Sequence, residues 1–516
     1  MQGPVSTGDS GDTRVAPVHT GKVIAISVIA ALGGFLFGYD SSVINGANKA
    51  VFYEFQITDK FMQGFVVAIA LLGSALGAFI GGRLTDKYGR KKVMVTAAIL
   101  FLIAGIGQAF PLATWDFMLW RVVGGFAIGL AAVVSPMYIS EVAPAHLRGR
   151  LSSLFQLAIV FGIFATQLVN QVIIGLTPNE VESPVLNPEV PPVEANNPLA
   201  LGLAAWQWMF LCMVIPAVIY WLLSLTLPES PRYLVAKGKS AEAKKVLEQI
   251  YVEDVTPRLN AIEESLAGEH KMSMSDIKGP RLGLLPIVWV GIILAVLQQF
   301  VGINAVFYYS NLIWGAVGFD ESRAFFTSTV ISAVNVIFTF VAIALIDRVG
   351  RKILLLVGSA GMFVTLAILT FVFTSAPQCT QAIIDAGGQP SCTGVSELNT
   401  PMLSSSSGWI AVIMLNSYVA FFAATWGPIV WVLLGEMFPN KIRAAAMSVG
   451  VMANWIANFI VSETFPGLVG ISLGLAYGLF TLGALVSFFY VWKFVKETKG
   501  VQLEDMEALE GVDMAK

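Results

Sequence analysis

Asp40, in the run FGYD, and Arg121, in LWRVV, each lie inside a long apolar stretch. An ionisable group in such surroundings is costly and by default marks a functional position. Two chemistries fit a carboxylate and a guanidinium placed this way. In one, a proton controls the pair: burial favours the neutral carboxyl, a neighbouring guanidinium favours the charged one, and a change of surroundings tips the balance. In the other, the two form a permanent ion pair that fixes helix packing. The residue types leave both open.

A second set of residues is polar and uncharged. Gln156, Gln167 and Asn170 fall close to one helical stripe, with Ile163 between them. Gln298, Gln299 and Asn304 cluster around Gly302, which lets a helix break and present its backbone. Gly427 and Trp431 stand one turn apart with Pro428 to bend the chain, and Asn454 and Asn458 flank Trp455 at i, i+4. Amides beside aromatic rings suit a sugar, whose hydroxyls need donors and acceptors and whose C–H faces prefer ring surfaces. Singly, each amide has a plainer reading as a hydrogen-bonded bridge between helices.

The elements that must hold these groups are membrane helices. Of the 516 residues 56% are apolar and only 13% charged, too few to cover a soluble protein of this size. Twelve apolar runs are long enough to cross a bilayer: 22–46, 60–82, 92–110, 116–139, 150–176, 206–227, 283–316, 322–346, 353–374, 408–434, 443–464 and 469–492. With the N-terminus inside, only Lys49, Lys60 and Arg323 fall outside and Arg121 falls within a span; every other basic residue lies on the inner side. By the positive-inside rule both termini are cytoplasmic. Residues 1–21 and 493–516 read as tails, and 228–282 as a cytoplasmic linker of short amphipathic helices that brace two six-span halves, 22–227 and 283–492. The outer loops are 177–205 and 375–407; the second holds Cys379 and Cys392, either as a disulfide or as two thiols.

Several function classes drop out. A net charge of −3 carries no basic excess for nucleic acid, and the three cysteines and three histidines form no metal-ligand spacing, so no metal or cofactor is expected. Gly238-Lys239-Ser240 fails as a phosphate loop because Tyr233 stands where a glycine is needed. No G-x-S-x-G elbow, H-E-x-x-H or catalytic carboxylate pair occurs, so the chain does not read as an enzyme.

The halves echo each other. GRLTDKYGRKK (82–92) has a counterpart in DRVGRK (347–352), and SEVAPAHLRGR (140–150) in GEMFPNKIRAA (435–445). Acids and bases bracket each of these turns: Asp86 and Arg90, Glu141 and Arg148, Asp347 and Arg351, Glu436 and Arg443, with Glu229 and Arg232 at the start of the linker. As ion pairs across the inner helix ends they would gate that side. Two similar bundles with a site between them suit alternating access.

The chain resembles the sugar porters of the major facilitator superfamily over residues 20–505. The resemblance rests on GRLTDKYGRK (82–91), PMYISEVAPAHLRGR (136–150), PESPR (228–232), QQFVGINAVFYYS (298–310), GPIVW (427–431) and VKETKG (495–500). Lys496 and Gln207 depart from it, standing where the family usually has proline and arginine; Gln207 is expected to loosen the outer end of the sixth span. The resemblance implies an all-α major facilitator fold, a monomer in the cell membrane, and proton-coupled sugar import with Asp40 and Arg121 as the coupling pair. It places the sugar against Gln156, Gln298, Gln299, Asn304, Asn335, Trp431 and Asn454, in a pocket lined by Phe37, Ile163, Phe422, Gly427 and Trp455. Tyr308 and Tyr309 would form an outer gate. Ile163 and Asn454 point to D-glucose or a similar hexose. A facilitative uniporter is the alternative, and a non-transporting sensor a more distant one.

Overall fold

A computed structural model of the chain describes residues 17–178, 180–267, 277–280, 282–316, 318–387, 392, 398–439 and 442–498. Among these residues it is all-helical apart from a two-stranded hairpin, Pro198–Ala200 against Leu203–Ala204. Twelve helices are long and apolar enough to cross a membrane. The first half supplies Thr20–Glu54, Lys60–Tyr88, Arg90–Ala109, Thr114–Val142, Arg150–Gly175 and Ala205–Thr226. The second supplies Pro286–Gly315, Glu321–Ile346, Arg351–Ser375, Ser405–Met437, Ala445–Ile471 and Leu473–Phe494. All twelve expected spans are present, with the first running on to Glu54.

Packing repeats from half to half. In the first, span two packs on four, one on five, and three on four and six; in the second, eight packs on ten, seven on eleven, and nine on ten and twelve. The halves meet where span two lies against eleven and five against eight. Large apolar side chains such as Leu76, Phe79, Ile103, Leu222, Phe371 and Trp492 remain exposed, a surface that suits lipid rather than water.

Local chemistry sets the helix ends. Asp59 caps span two through the Met62 N–H, and Asp320 caps span eight through that of Arg323. The turns into spans three and nine pass through Gly89 and Gly350, at φ 96° and 104°, backbone that an L side chain rarely adopts. Three spans break. The sixth breaks near Cys212 and Met213, the seventh at Val301 and Gly302, and the tenth at Thr425.

The linker forms helices Pro231–Ala236, Ser240–Ile250 and Thr256–Ala267. Ala243, Val246, Leu247 and Ile250 are the buried face of the second. The end of the N-terminal tail is tied to it: His19 N–H donates to the Ile250 carbonyl at 2.9 Å, and Val252 N–H to that of Pro17 at 3.1 Å. In the opposite loop Cys379 and Cys392 form a disulfide, with Cα atoms 5.5 Å apart. Gln207 does not leave its helix loose, because it accepts from Ala204 N–H at 2.9 Å and donates to the Ala109 carbonyl at 2.8 Å.

Candidate functional site

Asp40 and Arg121 meet inside the first bundle, 0% and 2% exposed. Their closest charged atoms are 4.0 Å apart, longer than a hydrogen-bonded ion pair. The guanidinium spends its donors on backbone instead, reaching the carbonyls of Asp40 and Val67, both at 3.2 Å. Between the two charges stands Gln108 of span three. Its Nε2 donates to Asp40 Oδ1 at 3.1 Å, and its Oε1 accepts from Arg121 at 3.4 Å. The sequence signal for Gln108 was its position as an amide in an otherwise apolar run.

The second bundle holds a chain of amides. Asn304 donates to Gln299 at 2.6 Å, Gln299 to Asn454 at 3.1 Å, and Asn454 to Gln298 at 2.8 Å. Gln298 ends the chain on the carbonyls of Trp426 and Gly427, at 2.9 and 3.2 Å. The break in span seven puts Gln299 and Asn304 on its two separate pieces, and the break in span ten starts a new helix at Trp426 beside Gln298. Gln156, Asn335 and Trp431 are close to fully or partly buried, and their side chains make no hydrogen bond among the described residues.

Aromatic groups join the two sets. Phe37 of span one meets Trp455 of span eleven at 5.7 Å between ring centroids, and the Trp455 indole N–H has no partner among the described residues. A small cavity lies beside them, lined by Phe37, Ser41, Val67, Arg121, Tyr308 and Trp455, so it lies between the Arg121 side chain and the rings. Phe422 is buried next to Gly427, while Ile163 is half-buried on span five.

At the end away from the linker, the bundles are bonded to each other. Asn45 of span one is the centre: it donates to Gln167 at 3.1 Å and Ser310 at 2.9 Å, and accepts from Asn311 N–H at 3.0 Å. Ser328 of span eight joins through Asn311 at 2.6 Å. Asn48 donates to the Tyr308 carbonyl at 3.3 Å, while the Tyr309 hydroxyl donates to Ser462 at 2.8 Å. Gln167 and Asn170 also donate to the carbonyls of Ser42 and Val43, so these two amides bridge helices. The loop between spans five and six adds a tie, since Glu321 at the start of span eight accepts the N–H of Glu194 at 2.8 Å and that of Ala195. Asn45, Ser310, Asn311 and Ser328 were not singled out from the sequence.

At the linker end the charges form two clusters, each within one bundle. Arg90 makes a bidentate pair with Glu141, at 2.7 and 2.9 Å, with Asp86 farther at 3.5 Å. Arg351 pairs with Glu436 in the same way, at 2.8 and 3.0 Å. Glu229 accepts the N–H groups that open span three, from Arg90 at 2.9 Å and Lys91 at 3.3 Å. Glu497 does the same for Arg351 and Lys352, at 2.9 and 3.0 Å. Ser230 then donates to Glu141 at 2.5 Å and Thr498 to Glu436 at 2.6 Å.

Of the expected pairings, Asp86 with Arg90 is present at 3.5 Å, while the shortest described ion pairs run between spans. Among the described residues the charged partner of Glu141 and of Glu436 is the arginine that opens the third or ninth span, and Arg443 donates to the Phe438 carbonyl at 3.0 Å. Glu229 caps span three, with Arg232 half-buried alongside it in the first linker helix. The side chains of Arg148 and Asp347 lie outside the described residues. Glu497 and Thr498 were missed, although ETK after span twelve mirrors ESP after span six.

The family model for sugar (and other) transporters matches residues 26–509. The glucose transport protein of Synechocystis sp. is 48% identical over 485 residues, covering 94% of this chain and 97% of that one. The D-xylose-proton symporter of Escherichia coli K12 is 32% identical over 525 residues, covering 95% and 96%. A solved structure of the inward open xylose transporter XylE from E. coli superposes with a TM-score of 0.74 at 32% identity, covering 94% of this chain and 99% of that one. With twelve spans in two packed bundles, and a family match over almost its whole length, the chain belongs to the sugar transporter family of the major facilitator superfamily.

Proposed function

We propose that this chain imports D-glucose or a similar hexose together with a proton, by alternating access. The observation that carries the reading is the buried Asp40–Gln108–Arg121 site, whose Arg121 lines a small cavity beside the Phe37–Trp455 contact between the bundles. Residues 22–227 and 283–492 act as the two moving bodies and 228–282 as their tie. The amides Gln298, Gln299, Asn304 and Asn454 meet the sugar hydroxyls, with Gln156, Asn335 and Trp431 completing the set. Hexose preference is supported by the resemblance to a glucose transport protein, and proton coupling by that to a xylose–proton symporter.

Protonation of Asp40 from the outer side removes its charge, and return to the inner side releases the proton. Each charge moved inward gains about 2.3 kcal/mol per 100 mV. The Asn45 network and the two tyrosines form the outer gate. The paired clusters at Arg90 and Arg351 stiffen each bundle at the cytoplasmic end. Placing both termini in the cytoplasm of a cell-membrane protein is supported by the basic residues on that side, and by the disulfide at the other end, where an oxidising compartment would preserve it.

A uniporter is the second reading. It is favoured by the backbone bonds that anchor Arg121, which would also suit a fixed packing pair. Uptake of labelled glucose into proteoliposomes under an imposed inward proton gradient decides between them. Accumulation above equilibrium that a protonophore abolishes supports symport. Equilibration without accumulation assigns a uniporter, and no glucose entry turns the search to pentoses and polyols.

A further inference from the structure

Gln108 is fully buried, and it is the one side chain that bonds to both Asp40 and Arg121 among the described residues. It comes from a third helix, so neither charge sets its position by local geometry. Asp40 Oδ1 takes the amide N–H, while Asp40 Oδ2 and Arg121 Nε have no partner among the described residues. Span four leaves room for this arrangement through Gly124. A methyl group at that position would sit 2.5 Å from Asp40 Oδ2 and 3.1 Å from Gln108 Nε2.

We propose that Gln108 is a positioning residue of the proton site, holding the Asp40 carboxylate off the Arg121 guanidinium so that Oδ2 stays open to a proton. This rests on reading Asp40 as the proton carrier. A direct bidentate pair would occupy both carboxylate oxygens, and a proton would have to displace the guanidinium to bind. A primary amide removes that competition because it donates to the carboxylate with one end and accepts from the guanidinium with the other. A hydroxyl is too short to span the two, and an aliphatic side chain satisfies neither. On protonation an O–H bond forms at Oδ2 and the carboxylate charge is lost. Arg121 keeps its charge, its two carbonyl bonds and its bond to Gln108 Oε1. The titratable groups facing the site from other elements are Tyr308 and Tyr309 of span seven.

The test compares Gln108→Met, which keeps the volume and loses both bonds, with Gln108→Asn, whose shorter amide cannot reach both partners. Proteoliposomes are assayed for glucose accumulation, the pH of half-maximal uptake and glucose counterflow, and thermal stability is followed alongside. Losing two bonds to charged groups should lower the accumulation ratio of Gln108→Met by about tenfold or more. Its half-maximal pH should move from the wild-type value, and counterflow should fall by less than accumulation. Gln108→Asn should fall between Gln108→Met and wild type. A wild-type ratio and pH profile in both folded variants would overturn the proposal. So would equal losses of accumulation and counterflow that track lowered stability with an unmoved pH profile, the mark of simple packing. Asp40→Asn is run beside them. Retained accumulation there removes the proton reading itself, whereas its loss with normal Gln108 variants removes only the role of Gln108.

Discussion

At the linker end the two bundles are near copies. Arg90 holds Glu141 at 2.7 Å where Arg351 holds Glu436 at 2.8 Å. Glu229 caps span three where Glu497 caps span nine, and Ser230 and Thr498 bind the same carboxylates. Even the third arginine contact agrees, with Arg90 reaching the Thr85 carbonyl at 3.2 Å and Arg351 that of Ile346 at 3.1 Å. Midway along the spans the likeness stops. The first bundle encloses a carboxylate, a guanidinium and one amide on spans that do not break there. The second has a chain of neutral amides there, on spans seven and eleven, beside the breaks in spans seven and ten. The frame is repeated in both halves while the interior differs, and none of the frame bonds named above reaches the interior.

That contrast is easiest to break with Asp40→Asn, which removes the carboxylate and leaves Arg121 the one charge of the first interior's Asp40–Gln108–Arg121 site. Uphill glucose accumulation should collapse to equilibrium while counterflow persists, as measured in proteoliposomes with and without a proton gradient. The corresponding change in the other bundle is Asn454→Ala, which removes the residue joining Gln298 to Gln299. Losing hydrogen bonds worth about 1–2 kcal/mol should raise KM for glucose roughly 5–30-fold. The pH dependence of transport should stay at the wild-type profile, and a displaced profile would contradict the division between bundles.

The shared frame offers a finer comparison. Glu141→Gln and Glu436→Gln each remove one carboxylate from a bidentate pair, at a cost of about 1–3 kcal/mol. Glu141 is 10% exposed and Glu436 28%, so melting in detergent should fall further for Glu141→Gln. Equal shifts would mean that burial does not distinguish the two clusters.

The smallest effect concerns the loop that crosses between bundles. Burial, then the nearby Glu321 and Asp320, push Glu194 up from its ordinary 4.5 to about 7, with Lys49 the closest opposing charge on Glu321. The docked loop then binds more protons than the free one between those values. Docking is therefore fully favoured below pH 4.5 and weakens as pH rises towards 7. Amide exchange at Glu194 and Ala195, corrected for intrinsic rate, should speed up by roughly threefold to tenfold between pH 5 and 8. Glu194→Gln should remove that dependence.

Much of the fold was legible because a bilayer allows few alternatives: runs of about twenty apolar residues must be helices. Asp40 and Arg121 were legible for the same reason, as ionisable groups are rare there. Gln108 was not, since an amide in a span is as often a plain bridge, and its value lies in meeting a carboxylate 68 positions away. Pairing was read locally, as Asp86 with Arg90 at i, i+4. The stronger bond joins Arg90 to Glu141 across 51 residues, and only the packing of spans three and four supplies it. Asn45 looked like one more residue at the outer end of an apolar helix. Its role as a centre depends on spans five and seven meeting at it, with span eight joining through Asn311.

The clasps have a bearing on how such a chain can be built. Each is completed by residues that follow the last span of its own half, Glu229 and Ser230 in one and Glu497 and Thr498 in the other. A six-helix unit therefore finishes its own fastening before the next begins. Translation and membrane insertion can secure the first unit while the second is still being made. Two polypeptides made separately, divided within the linker after residue 267, would each carry a complete clasp and would still have to find each other along the contacts of span two with eleven, five with eight and one with seven. The molecule is in this sense a fused pair, and its linker a convenience of synthesis as much as a part of the machine.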